Sequence, residues 1–181
     1  MKQLRAATRY AKAFLTLSVE QNNLEESYND MLTLSAICLE SKELRLLLKS
    51  PIVKTDNKLK IINQIFANKI SETSMRFINT IIKKKREPLL DQIAKTFIGL
   101  YKKQKNISTA IITTAVVISE ELKNEIITFV KKQTSNSVEL TEVVDKKIIG
   151  GAIVRIGDKQ LDASILKEIS ELKQTFNKNA Y

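Results

Sequence analysis

The stretch VVDKKIIGGAIVRIGDKQLDAS, residues 143–164, decides the fold of the C-terminal part of the chain. The whole chain has only four glycines, and three of them lie here, at positions 150, 151 and 157. Glycine is favoured where the backbone needs a positive φ or comes very close to other atoms. The Gly150-Gly151 pair therefore predicts a bulge, or a place where a second backbone segment packs tightly.

The residues after this glycine pair have the pattern of a β-hairpin. Ala152, Val154 and Ile156 alternate with Ile153 and Arg155, and this period of two is typical of a strand. Gly157-Asp158 predicts a two-residue turn, followed by a short returning strand over Lys159–Leu161. Either Asp162 or Ser164 can cap the helix that follows, because both side chains accept hydrogen bonds from free backbone amides.

The chain before residue 106 is predicted to be helical, since its apolar residues recur at helical spacing. Short connections between these helices favour an antiparallel six-helix bundle. The first predicted helix starts at Gln3 and is ended by Asn22-Asn23, and the fourth is capped by Thr55 or Asp56 and runs through Phe66. The other predicted helices are Leu24–Leu39, Lys42–Leu48, Ser71–Lys85, and one that starts at Pro88 and continues through Tyr101.

The pattern changes at about Asn106, where residues that favour strands begin. Ile107–Ile118 and Val138–Val144 are rich in β-branched residues and predict two strands, with a helix capped by Ser119 between them. Ile165, Leu166, Ile169, Leu172 and Phe176 mark a terminal amphipathic helix. The predicted fold is therefore mostly α, with a six-helix bundle over residues 1–105 and a small α+β domain over residues 106–181.

The net charge of +10 lies entirely in the first of these parts. Residues 1–105 carry 20 Lys and Arg against 10 Asp and Glu, whereas residues 106–181 carry 10 of each. This change in net charge at about residue 106 predicts two domains with different partners. The basic runs Lys83–Arg86 and Lys102–Lys105 could contact phosphates. Both runs fall at predicted helix C-termini, where cations are stabilised. Nucleic-acid binding is therefore the alternative hypothesis, and an acidic protein surface or anionic lipid is the preferred partner.

Catalytic chemistry is disfavoured by the composition. The absence of histidine removes the His-dependent nucleophile systems and the commonest transition-metal ligand. Cys38, the only cysteine, lies between apolar residues and predicts a packed thiol. Asp158 and Asp162 could be paired carboxylates or magnesium ligands, but turn and cap roles explain both. No enzyme activity, cofactor or metal is expected, and no apolar window is long enough for a membrane-spanning helix.

Two segments resemble the delta subunit of the F-type ATP synthase, a family that includes the mitochondrial oligomycin-sensitivity-conferring protein. The first segment is the opening Arg9-Tyr10-Ala11-Lys12-Ala13. The second is the C-terminal signature, matched here at Gly150, Gly151, Arg155, Gly157, Asp158, Asp162 and Ser164. One departure is Lys84-Lys85-Arg86, which stands where many relatives have Asn-Gly-Arg.

The resemblance implies a non-catalytic stator subunit. Its N-terminal domain would cap the alpha/beta hexamer, in contact with the alpha and beta subunits, and its C-terminal domain would hold the b subunit of the peripheral stalk. The hexamer would then be kept from turning with the rotor, so that ion flow is coupled to ATP synthesis. The resemblance further implies one copy per complex, a monomer in isolation, and a peripheral location at the cytoplasmic face of the bacterial inner membrane.

The resemblance also implies a binding groove between the first and fifth helices. In the family, this groove receives the amphipathic N-terminal helix of an alpha subunit, a helix-in-groove contact. The residues expected to line it in this chain are Tyr10, Ala11, Phe14, Ile78, Ile81 and Ile82.

Overall fold

The computed structural model describes residues 2–116, 118–120, 122–123, 126–128, 137–157 and 159–178. The chain divides into two compact units, Met1–Lys102 and Lys103–Tyr181. The described residues are mostly helical and include one four-stranded sheet. This confirms the predicted class, a mostly helical protein with a small sheet in its C-terminal part.

The helices that precede the sheet begin and end within about three residues of their predicted bounds. Ser41 and Ser71 cap two of them, because their hydroxyls accept hydrogen bonds from the amides of Leu44 and Ser74. Ser71 is therefore a cap and not the first helical residue. The reverse holds for α4, where Thr55 and Asp56 are both helical and the cap position is Lys54, without a side-chain hydrogen bond. The observed helices are α1 Lys2–Glu20, α2 Leu24–Glu40, α3 Lys42–Lys49, α4 Thr55–Phe66, α5 Glu72–Lys83 and α6 Leu90–Gln104, with a 3₁₀ turn at Glu87–Leu89 before α6.

The end of α5 is closed by the Lys84-Lys85-Arg86 segment. Lys85 has a φ of 54°, the left-handed conformation that glycine adopts at little cost. The amide of Arg86 donates to Ile81 O at 3.0 Å, and the amide of Lys85 donates to Ile82 O at 2.9 Å. These two bonds close the last turn of the helix, so the lysine preserves the turn at some cost in backbone strain.

A buried ammonium joins three segments of the helical unit. The side chain of Lys58 in α4 is 3% exposed and lies 2.6 Å from Glu87 Oε1. Lys58 Nζ also donates to Leu48 O at 3.3 Å and to Ser50 O at 2.7 Å. Because a buried charge is costly unless it is paired and hydrogen-bonded, this set of acceptors fixes α4 against the end of α3 and the start of α6.

The second unit is built on a sheet with the strand order β2-β1-β3-β4. Strands β1 and β2 are parallel, in register from Ile107 opposite Ser137 to Thr114 opposite Val144. The other two pairings, β1 with β3 and β3 with β4, are antiparallel. The strands are β1 Ile107–Thr114, β2 Ser137–Val144, β3 Gly151–Ile156 and β4 Lys159–Ser164, and the terminal helix α7 is Ile165–Lys178.

One face of this sheet carries the core of the second unit. Ala110, Ile112, Ile118 and Val154 are buried there, and partly buried residues of β2 and β3 pack around them. Residues 120, 122–123 and 126–128 are helical, and the preceding Ser119 hydroxyl accepts from the amide of Leu122 at 3.4 Å, as predicted for a cap. Ala152, Val154 and Ile156 all face this core, which confirms the predicted alternation.

Two strand ends differ from their predictions. The first strand was expected over Ile107–Ile118 but ends at Thr114, because the Thr114 hydroxyl donates to Val116 O and the chain turns. The returning strand was expected to end at Leu161 but continues to Ser164, which pairs with Gly151. Asp-Ala-Ser has little intrinsic preference for a strand, so pairing with β3 overrides local propensity here.

The glycines of the hairpin do what their clustering predicts. Gly151 has a φ of 81°, and a Cβ atom at this position would lie 2.2 Å from Ala163 O. This is the predicted close backbone approach. Gly157 has a φ of 56° and follows Ile156, which pairs with Lys159 across a two-residue turn. Asp158, the second turn residue, lies outside the described residues.

Replacing Gly151 with alanine should disrupt the second unit. The positive φ alone costs about 1–3 kcal/mol for a non-glycine residue, and the contact with Ala163 O adds to this cost. The matched control is Gly99→Ala in α6, where an added Cβ has no heavy atom within 4 Å. That change should stabilise by about 0.5–1 kcal/mol. Chemical denaturation of both variants provides the measurement, and a Gly151→Ala protein as stable as the parent would contradict the close approach.

Candidate partner-binding surfaces

A stack of phenylalanines holds α1, α5 and α6 together. The rings of Phe14 and Phe77 stack with their centroids 4.2 Å apart and their planes 15° from parallel. Phe97 contacts the same Phe14 ring in a tilted arrangement at 5.1 Å. Phe14 and Phe97 are fully buried, whereas Phe77 is half-buried at the surface between α1 and α5. Phe14 is thus a core residue that supports an aromatic ring at the surface.

Most of the residues predicted to line the groove lie beneath it. Tyr10 is half-buried, with the Arg9 guanidinium 5.7 Å from the centre of its ring. Buried side chains cannot touch a partner unless the core repacks, so in this structure five of the six predicted residues support the groove from inside. These five, Ala11, Phe14, Ile78, Ile81 and Ile82, are at most 1% exposed.

The surface between α1 and α5 is a shallow groove, which we call the α1–α5 groove. Its cavity has a volume of about 300 Å³ and is lined by Leu17, Gln21, Thr73, Arg76, Phe77 and Thr80. Leu17 and Phe77 supply its apolar centre. Thr73 Oγ1 donates to Gln21 Oε1 at 3.4 Å across the two helices, and Arg76 pairs with Glu72 at 2.6 Å on the outside. An apolar centre with a polar rim is the usual composition of a site that binds an amphipathic helix.

The sequence also held a signal for the α5 residues that line this cavity, and the prediction did not use it. Residues 78, 81 and 82 form the purely apolar face of α5, and such a face belongs to the core. The neighbouring row, Thr73, Phe77 and Thr80, places one aromatic ring between two threonines. A mixed row of this kind borders the core and is the better candidate for a surface that exchanges water for a partner.

A larger cavity of about 440 Å³ lies elsewhere in the helical unit, lined by Leu4, Cys38, Arg45, Leu48, Lys49, Pro88, Leu89, Asp91 and Gln92. Burial, together with the nearby charge of Asp91, raises the pKa of the Cys38 thiol to about 11. The thiol is therefore protonated at neutral pH and unreactive as a nucleophile, which agrees with the predicted packed cysteine.

The second unit exposes an apolar stripe on α7, which we call the α7 stripe. Its members lie on one side of an amphipathic helix and are 41–58% exposed, an unusual degree for such residues in a terminal helix of a small unit. They are Ile165, Leu166, Ile169 and Leu172. The side chain of Phe176, predicted to continue the stripe, lies outside the described residues. A row of large exposed apolar residues marks an interaction surface.

The signature residues build the support of α7. Ser164 is its cap, because its hydroxyl accepts from the amide of Lys167 at 3.3 Å. Asp162 Oδ1 accepts from the amide of Ser164 at 3.0 Å, and hydrogen bonds from Ser164 lower the pKa of the Asp162 carboxyl. Arg155 is exposed on β3. Of the two predicted candidates for the helix cap, Ser164 fills the role and Asp162 orients it.

Asp162, one of the two carboxylates weighed for catalysis, is engaged by Ser164, and Asp158 lies outside the described residues. Among the described residues, no group of three or more Cys, Asp or Glu side chains could hold a metal ion. No described helix is long and apolar enough to cross a membrane.

Comparison with known proteins gives a consistent result. Residues 6–176 match the family model described as ATP synthase delta (OSCP) subunit. The ATP synthase subunit delta of Christiangramia forsetii is 33% identical over all of this chain and 98% of its own length. That of Phocaeicola vulgatus is 36% identical over 93% of this chain and 91% of its own. A chain of the Toxoplasma gondii mitochondrial ATP synthase hexamer has the same fold, with a TM-score of 0.75 over 94% of this chain and 96% of that chain, at 22% identity.

Alanine substitutions at Phe14 and Leu17 should distinguish a core residue from a surface residue of α1. Phe14→Ala removes a buried ring that contacts two others, so we expect it to lower the free energy of unfolding by about 3–5 kcal/mol. Leu17→Ala, one turn further along the same helix, should cost about 1 kcal/mol because Leu17 is already partly exposed. Urea denaturation of both variants provides the measurement. Equal costs would mean that Phe14 is no more part of the core than Leu17.

Proposed function

The chain belongs to the ATP synthase delta (OSCP) subunit family, and from this premise we propose that it is a non-catalytic stator subunit that links the alpha/beta hexamer of an F-type ATP synthase to its peripheral stalk. Such a link needs two binding surfaces and no reactive group. The observation that carries the proposal is that each unit exposes an apolar surface of its own, the α1–α5 groove in one and the α7 stripe in the other.

The helical unit is the part that we assign to the hexamer. We take α1 to α6 to form a six-helix bundle that receives the N-terminal helix of an alpha subunit in the α1–α5 groove. Leu17 and Phe77 would contact the apolar side of that helix, and the rim residues would contact its polar edges. The excess of cations before residue 106 favours an acidic surface as the wider contact, which we assign to the top of the alpha/beta hexamer.

The second unit is the part that we assign to the stalk. The α7 stripe is long enough to lie along another helix, and Ile165, Ile169 and Leu172 recur at the spacing of a helix–helix contact. We propose that it binds the b subunit. The chain would then reach the membrane only through its partners, at the cytoplasmic face of the bacterial inner membrane, as one copy per complex.

Nothing in the described residues favours nucleic-acid binding, the alternative that the charge suggests. The run from Lys83 to Arg86 forms the closed end of α5, where cations are stabilised by the helix. The stacked aromatic rings are in the interior or between helices and do not form a row beside these cations. Binding of single strands usually requires such a row.

Leu17→Asp should weaken binding of the alpha-subunit helix. The substitution places a charge at the apolar centre of the groove, so we expect an affinity loss of about tenfold or more, roughly 1.4 kcal/mol. The measurement is calorimetric titration with a synthetic peptide of the alpha-subunit N-terminus. Val19→Asp is the matched control, since Val19 is exposed on the same helix but does not line the groove. Equal affinities for the two variants and the parent would remove the groove assignment.

Leu172→Asp should weaken binding of the b subunit. A charge in the middle of the α7 stripe opposes burial against another helix, and a loss of about tenfold or more is expected. Gln174→Asp serves as the control, because Gln174 is exposed on the side of α7 away from the stripe. Affinity is measured by titration with a helical segment of the b subunit. If Leu172→Asp binds as well as Gln174→Asp, the stalk contacts another face.

A further inference from the structure

The turn between β2 and β3 holds an isoleucine in a strained conformation. Ile149 has φ 65° and ψ −46°, and the amide of Gly150 donates to Ile148 O at 2.7 Å. Together these define a classic γ-turn, which is rare and strained. A positive φ is especially unfavourable for a β-branched side chain, since its branches crowd the backbone.

The side chain of Ile149 does not repay this strain by packing. It is 66% exposed, whereas its neighbour Ile148 is buried. The other non-glycine residues with positive φ in the described chain are polar, Asn22, Asn68, Lys85 and Asn106. Three of these four are asparagine, which tolerates the left-handed region. An exposed, strained isoleucine is thus a departure from the way this chain builds its other tight turns.

The strained turn adjoins the start of α7. Gly150 O accepts a hydrogen bond from the amide of Ile165 at 3.1 Å. A Cβ atom added to Gly150 would lie 2.7 Å from Ile165 Cδ1, so the turn is packed directly against the first residue of the α7 stripe. Ile149 is therefore an exposed apolar residue directly followed in the chain by a residue that contacts the first member of the α7 stripe.

The turn is also fixed on its other side. The amide of Asp145 donates to Thr114 O at 2.8 Å, and Asp145 Oδ1 accepts from the amide of Lys147 at 3.0 Å. The amide of Ile148 donates to Asp145 O at 3.2 Å. With Gly151 held against Ala163, the backbone on both sides of Ile149 is bound to the sheet. A side chain on such a backbone loses little conformational freedom when a partner covers it.

We propose that Ile149 is an anchor for the stalk helix of the b subunit, and that the strain of its turn is the cost of presenting it. This inference rests on the proposed function of the α7 stripe. The helix that lies on α7 would continue past Ile165 and place an apolar residue against Ile149. Strained residues that persist without a packing reason are concentrated at functional sites.

The test uses a variant whose stability and binding should change in opposite directions. Ile149→Asn suits the left-handed backbone but removes the apolar anchor. We expect the thermal midpoint of the full chain to rise by about 2–4 °C and the affinity for the b-subunit segment to fall about tenfold. Ile149→Leu keeps an apolar side chain without the β-branch, so its affinity should stay within about threefold of the parent. The affinity of Ile149→Asn for the alpha-subunit peptide should not change.

Lys85→Asn is the matched control, since it relieves the same backbone strain in the other unit. It should raise the thermal midpoint without changing affinity for the b-subunit segment. If Leu172→Asp abolishes that affinity while Ile149→Asn preserves it, the present inference fails and the function of the α7 stripe stands. If neither variant changes it, the stalk assignment itself fails. A parent dimer that Ile149→Asn dissolves would assign the residue to self-association and overturn the inference.

Discussion

The contact between Phe14 and its two neighbouring rings is the constraint on which the helical unit depends. Phe14 comes from α1, Phe77 from α5 and Phe97 from α6, so a single buried side chain sets the spacing of three helices. The same contact sets the depth of the α1–α5 groove, because Phe77 lies at the surface only as far out as Phe14 allows. The packing of the three helices and the shape of the α1–α5 groove therefore depend on the same contact, and a change at Phe14 would alter both.

The sequence predicted much of this architecture, and its failures have identifiable causes. The end of α1 at Asn22-Asn23 and the Ser119 cap were predicted correctly, because those signals are local. The extension of β4 to Ser164 was missed, since it depends on pairing with a strand that precedes it. The groove residues on α5 were expected on the face of Ile78, which is buried; the exposed face is the next row, with Phe77. The spacing of apolar residues identifies a helix well. It does not show whether a row at the edge of the apolar face, such as that of Phe77, packs in the core or lies at the surface.

In both units, a few polar side chains hold backbone segments in place. In the helical unit a buried lysine satisfies carbonyls at the end of α3 and an acid near α6, so polar groups inside the unit hold segments in place. In the second unit the aspartate and serine of the signature orient the start of α7. Both sets of polar residues fix backbone segments of their own unit in place. A subunit that transmits force requires this stiffness, since compliance at a binding surface would absorb the torque that it must resist.

The parallel pairing of β1 with β2 has a consequence for how the chain reaches its folded state. Ile107 pairs with a residue 30 positions further along, so the sheet cannot form until a long loop has closed. Contacts of this kind slow folding, whereas helix pairs joined by short turns form quickly. The helical unit also leaves the ribosome first. The α1–α5 groove can therefore form while the sheet that supports α7 is still incomplete, so the two surfaces become available in the order in which the chain is synthesised.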